Sequence, residues 1–238
     1  MRLKTVSFST PKENILFDDV LLEFAEQQKA PETLRFWESN QLFVVLGKTS
    51  KIEDDVFVEL ARKDNVSILR RSSGGGTVLQ GQGCLNFSLI LSKNYHPDLQ
   101  TIRRSYQFIL RKIVVALGSL GVLAEWRSIS DIVLKNTDQK ISGNAQKRAK
   151  NFILHHGTIL YDFNLSLIEK YLKMPKVYPD YRANRSHADF VSSVQIRCDD
   201  IQRAIAEQFS ISLKEEDLSV DEEYHLKELC KKRLECIL

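Results

Sequence analysis

The 238-residue chain is 43% hydrophobic and 27% charged, enough apolar residue to bury a full core, which excludes disorder as its organising principle. With 34 basic against 31 acidic residues the net charge is only +3, so composition gives no ground for nucleic-acid binding. No apolar run nears the roughly 18 residues that span a bilayer, and Met1 to Pro11 lacks the long apolar stretch of a signal peptide, so the expectation is a cytoplasmic protein with no membrane partner.

Along the chain, Leu16, Val20 and Phe24, with Phe17 and Leu21 beside them, recur at helical spacing between Asn14 and Gln28, and Pro31 stops the pattern. Leu34 to Trp37 and Leu42 to Leu46 read as short strands. Asp54 to Ala61 fits either helix or strand, the charged flanks favouring helix. Ser67 to Arg71, Thr77 to Leu79 and Leu85 to Leu91 read as strands, the last with Leu85, Phe87, Leu89 and Leu91 on one face. The longest helix runs from Leu99 to Leu120, where Ile102, Tyr106, Ile109, Leu110, Ile113, Val114 and Leu117 form one stripe and Gly118 and Gly121 close it. Asp131 to Leu134, Lys140 to Ser142 and Phe152 to Tyr161 read as strands, Asn136-Thr137-Asp138 joining the first pair as a hairpin. Ser219 with Glu222 three residues on is a capping-box signature, and Leu226, Leu229, Cys230 and Leu234 give the helix behind it an apolar face.

The sum is an α/β (α+β) fold with a mixed, mostly antiparallel central sheet flanked by helices. No repeat or linker divides the chain, so residues 1–238 are expected to form a single domain with a C-terminal helical extension from about 200 to 238. The cysteines Cys84, Cys198, Cys230 and Cys236 lack zinc-site or redox spacing and are expected to be reduced, mostly buried thiols.

Three segments carry chemistry. Arg70-Arg71-Ser72-Ser73 runs into Gly74-Gly75-Gly76-Thr77, two cations and two hydroxyls beside glycines that let backbone N–H groups approach a phosphate. A plain hairpin turn would use the same glycines, and the loop alone does not choose. It is not a P-loop, since no Gly-Lys-Ser/Thr follows, and Gly81-Gln82-Gly83 with Asn86 is not a dinucleotide fingerprint. Lys140 and Ser142 share a strand face, so an amine and a hydroxyl point the same way, although basic residues on a hairpin are more often a solvated face. His155 and His156, adjacent on a strand, face opposite sides and cannot jointly hold a metal; one is expected to face a cleft, the competing reading being a buried histidine satisfied by the backbone.

In this order the segments resemble the lipoate-protein ligase branch of the biotin/lipoate A/B protein ligase superfamily. The family pattern is an arginine-rich strand entering Ser-Gly-Gly-Gly, an Asp on a strand, Lys-x-Ser-Gly-x-Ala-Gln, then His-His-Gly-Thr-Leu-Leu. It stands here as Arg70 to Thr77, Asp131, Lys140 to Gln146 and His155 to Leu160, with Ile159 for the first leucine of the last motif. The resemblance implies a catalytic domain related to class II aminoacyl-tRNA synthetases. It also implies an ATP-dependent, AMP-forming reaction in which lipoate becomes lipoyl-AMP before the acyl group passes to a carrier lysine. Lys140 is then the catalytic group, an ammonium between a carboxylate and a phosphate that repel each other. By the same resemblance Arg71, Gly74, Gly75, Gly76, Thr77, Val78 and Leu79 would hold the nucleotide with Lys140, and Ser73, Asp131, Ser142, Gly143, His156 and Gly157 the lipoate or its adenylate. Mg²⁺ would come with ATP rather than sit in a protein cluster. The expected partners are lipoyl domains of 2-oxoacid dehydrogenase E2 subunits or the glycine-cleavage H protein, and no nucleic acid. Full-length bacterial ligases of the family carry a C-terminal accessory domain, so this chain reads as a short form, with a separately encoded accessory protein as a further expected partner.

The competing activity on the same fold is octanoyl or lipoyl transfer through a cysteine nucleophile. One transferase type places that cysteine three residues before the His-Gly, where this chain has Ile153, and the other in the loop before the Asp-bearing strand, where Glu125 to Ser130 has none. Biotin ligation is disfavoured by the absence of a Gly-Arg-Gly-Arg motif. A non-catalytic acyl- or carrier-binding homologue is the reading from a different class, and Lys140 beside the glycine loop speaks against it.

Overall fold

A computed structural model describes residues 1–127, 130–212 and 214–233. The first half of the chain forms β1 (Arg2–Thr5), α1 (Pro11–Glu26), β2 (Thr33–Trp37), β3 (Phe43–Leu46), α2 (Ile52–Asp55), α3 (Val58–Lys63), β4 (Ser67–Arg70), β5 (Val78–Gln80), β6 (Cys84–Ser92) and α4 (Ile102–Ser119). It continues through β7 (Ala124–Arg127), β8 (Asp131–Leu134), β9 (Lys140–Arg148), β10 (Phe152–Leu160), α5 (Ser166–Tyr171), α6 (His187–Phe190), α7 (Cys198–Gln208) and α8 (Val220–Lys232).

Seven strands form the central sheet in the order β1-β2-β6-β10-β9-β8-β7, antiparallel except where β1 runs parallel to β2. A smaller sheet, β4-β3-β5, lies beside it with β3 parallel to β4 and antiparallel to β5. The alternation along β6 divides the core. Leu85, Phe87, Leu89 and Leu91 pack with Ile109, Leu110 and Ile113 of α4 and Ile201 and Ile205 of α7, whereas Ile90 faces the Leu16, Phe17, Val20 and Leu21 side of α1. Burying each such aliphatic side chain contributes on the order of 1.5–3 kcal/mol.

Local chemistry sets several boundaries. α1 starts at Pro11, before the expected Asn14, because Thr10 accepts the Glu13 N–H and Pro11 needs no donor there. The long helix starts at Ile102, because Pro97–Gln100 forms a separate 3₁₀ turn, and Ile102, expected in its apolar stripe, is 59% exposed. The ambiguous segment after Asp54 is two short helices parted by Val56, whose extended backbone bridges Leu172. β9 extends to Arg148, well beyond Ser142, because β10 supplies a partner along its length. β1 and β7 were not anticipated.

The capping box at Ser219 and Glu222 forms as expected, and the Glu222 carboxylate also pairs with Arg2 and Lys4, tying α8 to β1. Cys84 is buried, Cys198 and Cys230 are partly exposed, and all three are free thiols; the expectations for Leu234 and Cys236 lie outside the described residues. Among the described residues no helix is long and apolar enough to cross a membrane.

Candidate active site

The glycine loop joins β4 to β5 and is built from its own arginines. Arg70 donates to the Gly47 and Ser50 carbonyls at 2.8 and 2.7 Å, and Arg71 Nη2 donates to the Gly74 and Gly76 carbonyls at 2.6 and 2.8 Å. Burial pushes the Arg71 guanidinium down to about 10, still charged at neutral pH. The carbonyls are thus turned toward the arginine. Gly75 has φ +86°, and a Cβ on Gly47 would lie 1.9 Å from the Gly75 carbonyl oxygen, so Gly47 and Gly75 are required by the loop itself. Nothing lies within 4 Å of a Cβ built on Gly74 or Gly76, which leaves open space above them.

Lys140 opens β9, and its ammonium lies 2.8 Å from Asp131 Oδ1 at the head of β8. A register shift between Ile132 and Val133 sets Lys140 opposite Val133, and so on the face Val133 shares with Asp131, while Ser142 stands opposite Ile132; the expected shared face of Lys140 and Ser142 is lost to this irregularity. A Cβ on Gly143 would stand 3.0 Å from both Lys140 Cε and Nζ, so that glycine gives the lysine side chain room to cross the strand. Asp131 Oδ2 accepts the Tyr181 hydroxyl at 2.7 Å. Burial and the Asp131 carboxylate push that hydroxyl far above its ordinary range, so it remains a donor.

The two histidines divide as β10 alternation requires. His155 is buried between Phe87 and Tyr106, bonded to Gln146 and Asn144, and burial pushes it down to about 3, so it is a neutral structural imidazole. His156 faces the cleft, its Nδ1 3.4 Å from Asp18 Oδ2 and its Nε2 2.6 Å from Ser73 Oγ. Burial pushes Asp18 up, but the Arg35 guanidinium at 2.7 Å and His156 outweigh it and hold the carboxyl below its ordinary value. An Nδ1–H directed at Asp18 leaves Nε2 to accept the Ser73 hydroxyl. Although the order Ser73, His156, Asp18 matches a nucleophilic triad, Ser73 is 1% exposed and lines neither cavity of the cleft, so its hydroxyl orients the imidazole.

Two adjoining cavities make up the cleft. The smaller, about 160 Å³, has an apolar part at Ile15, Trp37, Val45 and Val78 and a polar and charged part at Asp18, Arg71, Asn86, Asp131, Lys140 and His156. The larger, about 700 Å³, is walled by the glycine loop, α2 and the segment after α5; Lys51, Lys173 and Arg182 give it cations, Lys176 is paired with Asp54 at 2.7 Å, and Leu160, Leu172 and Phe190 add apolar wall. Lys140, Asp131, Gly143, Gly76, Thr77 and Val78 line both. Arg71, Gly75, His156 and Gly157 line the smaller, and Leu79 and Ser142 the larger, so the expected site residues gather in one cleft except Ser73 and Gly74, which line neither cavity. Arg71 differs from expectation in that its Nη2 is engaged by the loop carbonyls. Among the described residues no group of three or more His, Cys, Asp or Glu side chains is gathered around a metal-sized space.

Sequence reasoning missed Asp18, Arg35, Trp37 and Tyr181. The available signal was an acid inside the apolar helix Leu16 to Phe24 and an arginine between Leu34 and Phe36, since buried charges persist only when paired.

Comparison with known proteins agrees with this geometry. The family described as "Lipoyl protein ligase A/B catalytic domain" matches residues 10–212. The chain is 32% identical over 178 residues to a probable lipoate-protein ligase A of Mycoplasma pneumoniae, covering 73% of this chain and 50% of that protein. It is 25% identical over 259 residues to the octanoyltransferase LipM of Geobacillus kaustophilus, covering 96% of this chain and 93% of that one. The chain spans between 36% and 56% of the length of the curated ligases it matches. Its fold is similar to the bi-partite lipoate protein ligase of Thermoplasma acidophilum, solved in a study that also covered its E2 lipoyl domain, with TM-score 0.82, 23% identity and coverage of 98% of this chain and 92% of that one.

Proposed function

The chain belongs to the lipoyl protein ligase A/B catalytic-domain family, and from that premise we propose that it is an ATP-dependent lipoate–protein ligase. In this reading the lipoate carboxylate attacks the ATP α-phosphorus and displaces pyrophosphate. A carrier lysine amine then attacks the lipoyl-AMP carbonyl and displaces AMP. The observation that carries the reading is Lys140: it lines both cavities, the smaller reaching Trp37, Val45 and Val78 and the larger reaching Lys51, Lys173 and Arg182. An acyl tail in the first and a nucleotide in the second would bring carboxylate and phosphate together at its ammonium, which offsets their repulsion and the charge of the transition state.

Asp131, fixed at 2.8 Å, would hold that ammonium in place, and the Gly74 to Thr77 backbone would offer N–H groups to the phosphates. Ser142 and Gly143 beside Lys140, with His156 and Gly157 across the cleft, would border the acyl carboxylate and adenylate. Mg²⁺ would accompany the phosphates of ATP. The proposed acceptors are lysines of E2 lipoyl domains or of the glycine-cleavage H protein. The bi-partite organisation of the Thermoplasma ligase is the precedent for adding a separately encoded accessory protein to the partners. The reading places the reaction in the cytoplasm.

Similarity over nearly the whole length of LipM favours a second reading, octanoyl transfer from a thioester donor. Against it, among the described residues no cysteine lines either cavity, and Cys84 is fully buried with its thiol pushed far up by that burial. The two readings separate when a lipoyl domain is incubated with the chain and either lipoate plus ATP and Mg²⁺ or octanoyl-acyl carrier protein without nucleotide, and its mass is followed. The ligase modifies the domain only with ATP, and Lys140→Ala lowers that rate by on the order of 10²–10³. Modification from the thioester alone overturns the proposal.

A further inference from the structure

The stretch from Tyr181 to Phe190 sends Arg182 to the larger cavity, but its Tyr181 and Arg185 have no role in the reading above. It folds onto the β8–β9 hairpin. Arg185 Nη1 donates to the Thr137 carbonyl at 3.2 Å, and its Nη2 to the Asp138 and Tyr181 carbonyls at 3.0 and 2.9 Å. Immediately after the stretch, Val191 bridges Lys140 in parallel and the Ser192 N–H donates to the Lys140 carbonyl at 2.9 Å. Phe190 is the anchor. The Arg182 and Arg185 guanidiniums lie 4.6 and 5.2 Å from its ring centroid, and the Tyr181 ring tilts against it at 5.4 Å. The Arg185 bonds to Thr137 and Asp138, the Val191 bridge and the Ser192 bond act on the hairpin that carries Asp131 and Lys140, and the contacts of Phe190 hold the stretch itself together.

We propose that Tyr181 is a positioning residue: its hydroxyl on Asp131 Oδ2 fixes the carboxylate plane so that Oδ1 faces the Lys140 ammonium, on a hairpin braced by Arg185. A carboxylate has no strong preference about its last torsion, so one fixed donor on the far oxygen decides where the near oxygen points. Tyr181 borders neither cavity, so it acts through Asp131 rather than by touching a substrate. Its kinetic consequence rests on the ligase reading. An ammonium displaced from the junction of carboxylate and α-phosphate costs the transition state and not the bound substrates, so kcat falls while KM holds.

The test begins with a measurement that needs no activity. Trace acetylation with acetic anhydride, quantified by peptide mass spectrometry, reads how firmly the 27%-exposed Lys140 is held. Tyr181→Phe, which keeps the ring on Phe190, is expected to raise labelling of Lys140 about threefold, the size expected for loosening a partly exposed ion pair. Labelling of Lys93, held by the Ala149 and Lys150 carbonyls, is expected to stay constant. In an Asp131→Asn background Tyr181→Phe should add nothing, because the group it acts through is already neutral. Where the parent protein exchanges pyrophosphate into ATP, Tyr181→Phe should lower kcat about tenfold with KM values within about twofold. No exchange by the parent defeats the ligase reading, and the labelling still judges Tyr181. Unchanged labelling of Lys140, a parallel rise at Lys93, or full additivity with Asp131→Asn would each overturn the proposal.

Discussion

A methyl group on Gly143 would sit 3.0 Å from Lys140 Nζ, so the smallest substitution in the cleft presses on the ammonium and leaves the core alone. Gly143→Ala should lower the rate of lipoate-dependent adenylation about tenfold while the thermal midpoint moves little; a fall in the midpoint with no loss of rate would contradict the assignment. Asp18 presents the opposite case, a buried charge whose first duty is to Arg35. Its pKa is held below the ordinary 3.8, so the stability it contributes is fully present above that value and is lost as pH falls through the lowered folded value. Asp18→Asn leaves Arg35 without its counter-ion and should cost about 3 kcal/mol at pH 7, with the penalty shrinking in urea titrations below about pH 4. Lys140, Asp131 and the glycine loop were legible in the sequence because their types and order form a motif. Asp18, Trp37 and Tyr181 were not, because each acquires its place through contacts across more than 50 residues or through a cavity wall or, for Tyr181, across 50 residues.

Elements were legible where one physical signal governed them. The alternation along β6, the stripe on α4 and the capping box of α8 each predict what forms, since period and cap are local properties. Ser219→Ala removes a cap that accepts the Glu222 N–H and holds the helix that pairs with Arg2 and Lys4, so chemical denaturation should show a loss of about 1 kcal/mol. No change would mean that α8 contributes nothing to global stability. β1 and β7 escaped notice because Arg2-Leu3-Lys4-Thr5 and Ala124-Glu125-Trp126-Arg127 carry little apolar pattern, and each strand is ordered by pairing, with β2 and β8. The split of α2 from α3 was hidden for a similar reason: Val56 is drawn into a bridge with Leu172, more than 100 residues away.

At the scale of the molecule, the antiparallel sheet and its flanking helices follow from composition and pattern, but the adjoining cavities do not, because they arise between two sheets and a segment that folds back after α5. That arrangement puts Lys140 between a smaller space that reaches Trp37, Val45 and Val78 and a larger one that reaches Lys51, Lys173 and Arg182, and the proposed chemistry depends on it. The most direct test mixes the purified chain with lipoate, Mg²⁺ and ATP, without any carrier, and measures lipoyl-AMP and pyrophosphate. Lipoate-dependent formation of both, lost in Lys140→Ala, is the predicted result; absence of both, with acyl transfer to a lipoyl domain proceeding from a thioester, would contradict it.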